Sequence, residues 1–255
     1  MEDKSNEIRK IQEDISFSGF PLEIEVSSIL EKNGWTVRNQ SYYVDEDEGK
    51  TRTIDILAHK AFFENFGNND RLNITLVVEC KKSIKPWVFF TTQKEKEFVS
   101  TVGYIKYWAY PTLKNFTWLN QSHYVHNKFN EKAVISYEPF KRGKGREILE
   151  ATHQVTKALN FQIEEFKRFQ QIAKSTRIPM KPIFFLFPII CFDGNLYEYK
   201  LKNGVVKISS TDYLQYSVRE REGMFLVDVI KKEFLAEYLR IMNEEVEIIR
   251  HSLKE

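Results

Sequence analysis

The strongest constraint on the fold is the run ITLVV at residues 74–78, which is apolar apart from Thr75 and lies inside the longer segment Asn73–Ser83. Its β-branched residues favour a strand, and its lack of polar alternation is typical of a strand covered on both faces. A second run, Ile183–Phe192, is shorter than the ~18 residues of a membrane span and contains Pro188. We therefore expect two buried strands within a central sheet.

Helix signals flank these strands in the chain. Pro21 near its start and Gly34 at its end mark a first helix over Ser18–Gly34. The segment Arg146–Ser175 has apolar residues at three- and four-residue steps, which predicts the longest helix. Further predicted elements are strands over 35–44, 51–63 and 224–230, a helix over 94–110, a hairpin over 195–209 and a closing helix over 231–253.

The order of these elements predicts an α/β protein with three layers, in which helices flank a mixed central β-sheet. We expect residues 1–255 to form one domain. Its core would cover residues 18–192, with an insertion near 104–140, and a β-hairpin and a C-terminal helix would extend it over 193–255.

Composition places the chain among ordinary globular proteins. It is 42% hydrophobic and 29% charged, which excludes a disordered or fibrous chain. The N-terminal segment is charged and no apolar run reaches the length of a membrane span, so we expect a cytoplasmic protein with no membrane partner. Cys80 and Cys191 are isolated and favour reduced core positions over a disulfide or a zinc site.

Charged residues interrupt the apolar pattern at the end of the segment Asn73–Ser83. Side chains alternate along a strand, so Glu79 and Lys81 share one face while Val78 and Cys80 occupy the other. If the strand over 51–63 pairs with this one, Asp55 comes to stand beside Glu79. Two neighbouring carboxylates repel each other unless a cation lies between them. Carboxylate oxygens suit Mg²⁺, or Mn²⁺ in its place, and a lysine on the same face could orient a water that attacks phosphorus.

An Asp on one strand, followed by Glu-x-Lys on the next, resembles the PD-(D/E)xK nuclease superfamily with its restriction endonuclease-like fold. The resemblance implies that Asp55 and Glu79 are metal ligands and that Lys81 is the catalytic lysine. It also implies a further acidic ligand on the first helix, for which we choose Glu23 and keep Glu25 as the alternative, because both flank the apolar stripe equally.

Several basic residues are candidates for contacts with phosphates. They are Lys82 and Lys85 after the strand, and Lys141, Arg142, Lys144 and Arg146 in a Gly-containing loop. Among the histidines, His59 lies on the same strand face as Asp55 and could approach the site, whereas His123 and His126 are read as structural or solvated. No nucleotide-binding fingerprint occurs, so ATP-driven activity would need a helicase or ATPase partner.

The sequence thus leads to a metal-dependent nuclease, with DNA as the expected nucleic-acid partner and internal cleavage as the expected mode, in bacterial defence or DNA repair. The alternative is a catalytically inactive subunit on the same fold that binds nucleic acid or another protein. The sequence leaves open DNA against RNA, endonuclease against exonuclease, and the formation of a homodimer.

Overall fold

The structure is a computed structural model that describes residues 2–45, 47–65, 71–93, 104–105, 108–110, 131–140, 146–175, 182–202, 204–220 and 223–254. The helices are α1 (Glu2–Phe17), α2 (Phe20–Lys32), α3 (Glu147–Ser175) and α4 (Leu235–Ser252), and a 3₁₀ turn covers Lys232–Phe234. The strands are β1 (Thr36–Asp45), β2 (Lys50–Phe62), β3 (Arg71–Lys82), β4 (Trp87–Gln93), β5 (Tyr104–Ile105), β6 (Trp108–Tyr110), β7 (Glu131–Tyr137), β8 (Pro182–Asp193), β9 (Leu196–Lys202), β10 (Val205–Ser210), β11 (Tyr213–Glu220) and β12 (Gly223–Lys231).

All twelve strands in the described part of the chain belong to one mixed sheet. Ten follow the order β1-β2-β3-β8-β12-β11-β7-β4-β9-β10, while β5 pairs with β12 and β6 pairs with β8. The first hairpin, β1 with β2, is antiparallel, as is β2 with β3. Strand β3 runs parallel to β8, and β8 runs parallel to β12. The two apolar runs of the sequence are therefore adjacent strands, and the α/β class predicted from sequence is confirmed.

Helices cover both faces of the sheet. One core cluster combines Leu22 and Val26 of α2 with Leu239 of α4 against the strand residues Ile56 and Val78. A second cluster lies on the opposite face, where the apolar stripe of α3 packs on the sheet. Its members include Val155, Leu159, Leu57, Val77 and Ile190. Successive residues of β2 and β3 thus enter different cores, as the alternation of side chains along a strand requires.

The helix predicted over Ser18–Gly34 is α2, and the three strands predicted after it are β1, β2 and β3. Pro21 occupies the first turn of α2, and Gly34 beyond its end has φ +78°, a left-handed conformation that glycine adopts without steric cost. The preceding helix α1 was not predicted. No helix among the described residues is long and apolar enough to cross a membrane.

The middle of the chain departs from the prediction. A helix was expected over 94–110, but residues 104–105 and 108–110 are strands, and the other residues of that range lie outside the described ones. The expected insertion near 104–140 contributes β5, β6 and β7 to the sheet. The aromatic residues there recur at helical spacing, but backbone pairing with β8, β11 and β12 decides the outcome.

Residues 193–255 were expected to extend the core, but in the structure they form part of the central sheet and of its packing. Strand β12 pairs with the central strand β8, and α4 packs beside α2 in the same core cluster. The predicted hairpin is present as β9 and β10, whereas β11 was missed because its polar residues interrupt the strand pattern.

Candidate active site

The candidate site forms where β2 and β3 separate. Their antiparallel register ends at Ile56 opposite Val78, so the next position along both strands sets Asp55 opposite Glu79. Beyond this point a side chain replaces the backbone pairing between the two strands. The Oδ2 of Asp55 accepts a hydrogen bond of 2.7 Å from the amide of Cys80. The two carboxylates predicted from the sequence to lie side by side are therefore neighbours in the sheet.

Glu79 and Lys81 form an ion pair on the shared face of β3, in which the carboxylate is buried and the lysine is partly exposed. The Nζ of Lys81 lies 2.7 Å from Oε1 of Glu79, whose side chain is 1% exposed, while the lysine side chain is 27% exposed. The second carboxylate oxygen of Glu79, Oε2, is buried and accepts no hydrogen bond from the residues that the structure describes. A buried carboxylate oxygen normally has a hydrogen-bond donor or a cation as its partner.

Glu23 reaches the same cluster from α2 through Gln40 of β1. The Gln40 amide donates a hydrogen bond to Oε2 of Glu23, and Gln40, which stands opposite Asp55 on the neighbouring strand, favours the charged form of the Asp55 carboxyl group. Glu25 instead pairs with Lys232 at 3.3 Å and is exposed. Of the two helix glutamates left open by the sequence, Glu23 is therefore the one beside Asp55.

Gln40 is the residue of this cluster that sequence reasoning missed. It stands opposite Asp55 in the β1–β2 register, between the pairs Asn39–Ile56 and Ser41–Ile54. Its φ of +48° lies in the left-handed region, which is uncommon for a residue other than glycine. The hairpin register could have identified it as the neighbour of Asp55, but nothing in the sequence indicates its backbone conformation.

The electrostatics of the cluster show an excess of negative charge. Burial, and then the charge of Asp55, raise the pKa of Glu79 to about 8 in spite of Lys81. Burial also raises the pKa of Asp55, although the Cys80 amide and Lys81 act in the opposite direction. The pKa of Glu23 is raised by burial and by Asp55. One ammonium group therefore does not compensate three carboxyl groups.

The pKa of Lys81 is raised by the same carboxylates. Burial alone would lower the pKa of its ammonium group, but the carboxylates of Glu79 and Asp55 outweigh this effect and the pKa rises. Lys81 is therefore a firmly protonated cation in this arrangement. It can donate hydrogen bonds and attract negative charge, and it is a poor proton acceptor.

The donor set is chemically compatible with a hard divalent cation, although it is not a complete metal cage. Across the described ranges, no group of three or more His, Cys, Asp or Glu side chains is arranged to hold a metal ion. Magnesium sites commonly use one or two carboxylates, with water and substrate phosphate completing the shell. Asp55 and Glu79 fit that pattern, because the Oε2 of Glu79 is buried without a partner among the described residues and both pKa values are raised.

Three of the basic residues predicted to contact phosphates lie in the described part of the chain. Lys82 and Lys85 are exposed and donate to the backbone carbonyls of Ser16 at 3.4 Å and of Phe140 at 3.2 Å. Arg146 is exposed immediately before α3. The others, Lys141, Arg142 and Lys144, lie outside the described residues, as do His123 and His126.

His59 does not approach the carboxylates. It lies four residues further along β2, where its Nδ1 is 3.0 Å from Oγ1 of Thr75. The strand carries the imidazole away from Asp55, towards the opposite end of the sheet.

Comparison of the chain with protein-family models, with curated proteins and with solved structures gave no match.

Proposed function

We propose that this protein is a metal-dependent nuclease with a restriction endonuclease-like core, which hydrolyses phosphodiester bonds in DNA. The observation that carries the proposal is the convergence of Asp55, Glu79 and Lys81 at the point where β2 and β3 separate. Unpaired charge in a buried strand is costly, so a cluster with too little positive charge is more readily understood as a binding site than as a structural element.

Asp55 and Glu79 would hold Mg²⁺ or Mn²⁺, with Glu23 assisting through water. A bound divalent ion would supply Lewis-acid polarisation of the phosphoryl group and a more acidic water. Asp55 is held in place by the Cys80 amide, and Glu23 is held by the side-chain amide of Gln40. These hydrogen bonds orient the acidic groups before any substrate binds.

Lys81 would stabilise the negative charge that develops on the phosphoryl oxygens. Its raised pKa favours this role over that of a general base, because the ammonium form dominates near neutral pH. Its side chain is partly exposed beside the buried Glu79, so it can reach a substrate that the carboxylates do not contact directly. Lys82, Lys85 and Arg146 would add phosphate contacts without reading base identity.

The test is cleavage of circular and linear DNA by the purified protein in Mg²⁺, Mn²⁺ or EDTA. We expect Asp55→Asn, Glu79→Gln and Lys81→Met to lower the rate by about 10²-fold or more, as for other removed electrostatic groups in active sites. Glu25→Gln is the matched control, because Glu25 is a carboxylate of the same helix that pairs with Lys232. Cleavage by the Lys81→Met protein at the wild-type rate would contradict the proposal, whereas metal-independent binding of DNA without cleavage would favour an inactive binding subunit.

A further inference from the structure

A second cavity lies at the other end of β2 and β3, on the face of the sheet that α3 covers. Its volume is about 500 Å³, within the range of pockets that hold small molecules. Four neighbouring strands and the far end of α3 build it. Its lining includes Arg38, His59, Arg71, Asn73, Thr75 and Phe166.

This cavity is separate from the carboxylate cluster. His59 and Thr75 are each four residues from Asp55 and Glu79 along their strands, which corresponds to about 13 Å. Between the two sites, Leu57 and Val77 are buried under α3. A molecule in the cavity would therefore not extend into the candidate active site across this face.

The charges of the lining favour an anion. Arg38 and Arg71 supply two guanidinium groups, whereas the carboxylate among the described lining residues, Glu165, pairs with Arg168 at 2.8 Å. Burial and the charge of Arg38 lower the pKa of His59 to about 4, so its imidazole is neutral near pH 7. The wall therefore carries more positive than negative charge.

The same wall holds polar groups that lack hydrogen-bond partners among the described residues. The donors Nε of Arg71 and Nδ2 of Asn73 are buried and make no hydrogen bond there. Nε2 of His59 is also buried without a hydrogen bond, and it donates or accepts according to the tautomer of the ring. Buried donors without acceptors are rare in folded proteins. A small adjustment of these side chains towards an acceptor in the cavity would satisfy them.

The opposite wall is aromatic. Phe166 stacks on Phe184 with ring centroids 3.9 Å apart and an interplanar angle of 9°, and Phe169 beside them is 41% exposed. Flat apolar surfaces of this kind bind planar rings by stacking. The cavity thus combines cationic donors on the strands with an aromatic surface formed by α3 and Phe184 of β8.

We propose that this cavity is a binding site for a small organic anion that carries a planar aromatic ring. The anionic group would bind Arg38 and Arg71, which present donors in a geometry suited to carboxylate and phosphate. The ring would lie against the phenylalanine wall. This site is independent of the proposed nuclease activity and would hold an effector or a second ligand.

Isothermal titration calorimetry of the full chain tests the proposal with two aromatic anions, adenosine 5′-monophosphate and indole-3-carboxylate. Binding of either one supports the site and shows whether the anion is a phosphate or a carboxylate. Adenosine and inorganic phosphate provide the neutral ring and the anion without a ring, and each should bind at least tenfold more weakly. Equal binding of inorganic phosphate and the aromatic anions would overturn the role of the ring.

Three variants distinguish binding in this cavity from general electrostatic attraction of the anion. Arg38→Gln should weaken binding about tenfold or more, since it removes a charge-assisted hydrogen bond, and its exposed position spares the fold. Ala61→Trp fills the cavity from an exposed lining position and should abolish binding with both arginines intact. Arg9→Gln, on α1, is the control and should bind as the wild type does. Binding that is undetectable at about 10 mM ligand, or unchanged in both site variants, would overturn the proposal.

Discussion

Replacing Glu79 by glutamine should stabilise the folded protein at neutral and alkaline pH. The side chain is 1% exposed, and burial together with Asp55 raises its pKa from 4.5 to about 8. A carboxyl group with a raised folded pKa holds its proton more tightly in the folded state than in the unfolded chain. Its contribution to stability is therefore complete below pH 4.5 and is lost as the pH rises through about 8.

The magnitude follows from the linkage between pKa and stability. One pH unit corresponds to about 1.4 kcal/mol, so a rise from 4.5 to about 8 corresponds to a loss of about 5 kcal/mol between those pH values. Glutamine does not titrate and avoids this loss. The pKa of about 8 already includes the attraction of Lys81, and the poorer hydrogen bonding of an amide in place of the protonated carboxyl group offsets part of the gain. We expect a net increase of about 2–4 kcal/mol in the free energy of unfolding near pH 8.5.

Urea unfolding at about pH 5 and about pH 8.5 measures both the gain and its pH dependence. The wild-type protein should lose more stability between these values than the Glu79→Gln protein. Glu25→Gln, which alters an exposed pair with Lys232, should follow the wild type. A Glu79→Gln protein that is no more stable than the wild type near pH 8.5, or that shows the same pH slope, would refute the reasoning.

Two further predictions concern residues of β1. Gln40→Ala removes the hydrogen bond to Glu23 and should lower the DNA cleavage rate about tenfold while the unfolding midpoint changes little. The exposed Gln12→Ala is the control, and an unchanged rate would remove Gln40 from the site. Asp45 is buried and accepts hydrogen bonds from Lys157 at 2.9 and 2.8 Å, which with its backbone bonds outweigh burial and lower its pKa. Asp45→Ala should destabilise the fold by about 3–5 kcal/mol in urea unfolding at pH 7. Because the folded pKa is lowered, the wild-type advantage should shrink as the pH falls below 3.8; an advantage independent of pH would contradict this assignment.

Local pattern was sufficient to predict the elements that build the candidate site. The apolar run before Glu79 and the hairpin predicted over 35–63 indicated adjacent strands. The alternation of side chains indicated that Glu79 and Lys81 share a face. Parity was less informative at Asp55. Its neighbours Ile54 and Ile56 were expected in one core but belong to the two opposite ones.

Features that depend on several distant segments could not be predicted. Gln40 joins the cluster through a left-handed backbone conformation, which nothing in its local sequence specifies. The second cavity requires the ends of β1, β2, β3 and β8 together with the last turns of α3. The place of β12 beside β8 is a long-range pairing, and for this reason residues 193–255 were read as an extension.

The central claim is that the carboxylates at the separation of β2 and β3 bind a divalent cation. Calorimetric titration with Mn²⁺ in the absence of nucleic acid measures this directly. The wild-type and Glu25→Gln proteins should bind the ion with equal affinity, and Asp55→Asn and Glu79→Gln should each weaken binding by about tenfold or more, since each removes a charged ligand. Equal Mn²⁺ affinity in all four proteins, or undetectable binding by the wild type, would contradict the account.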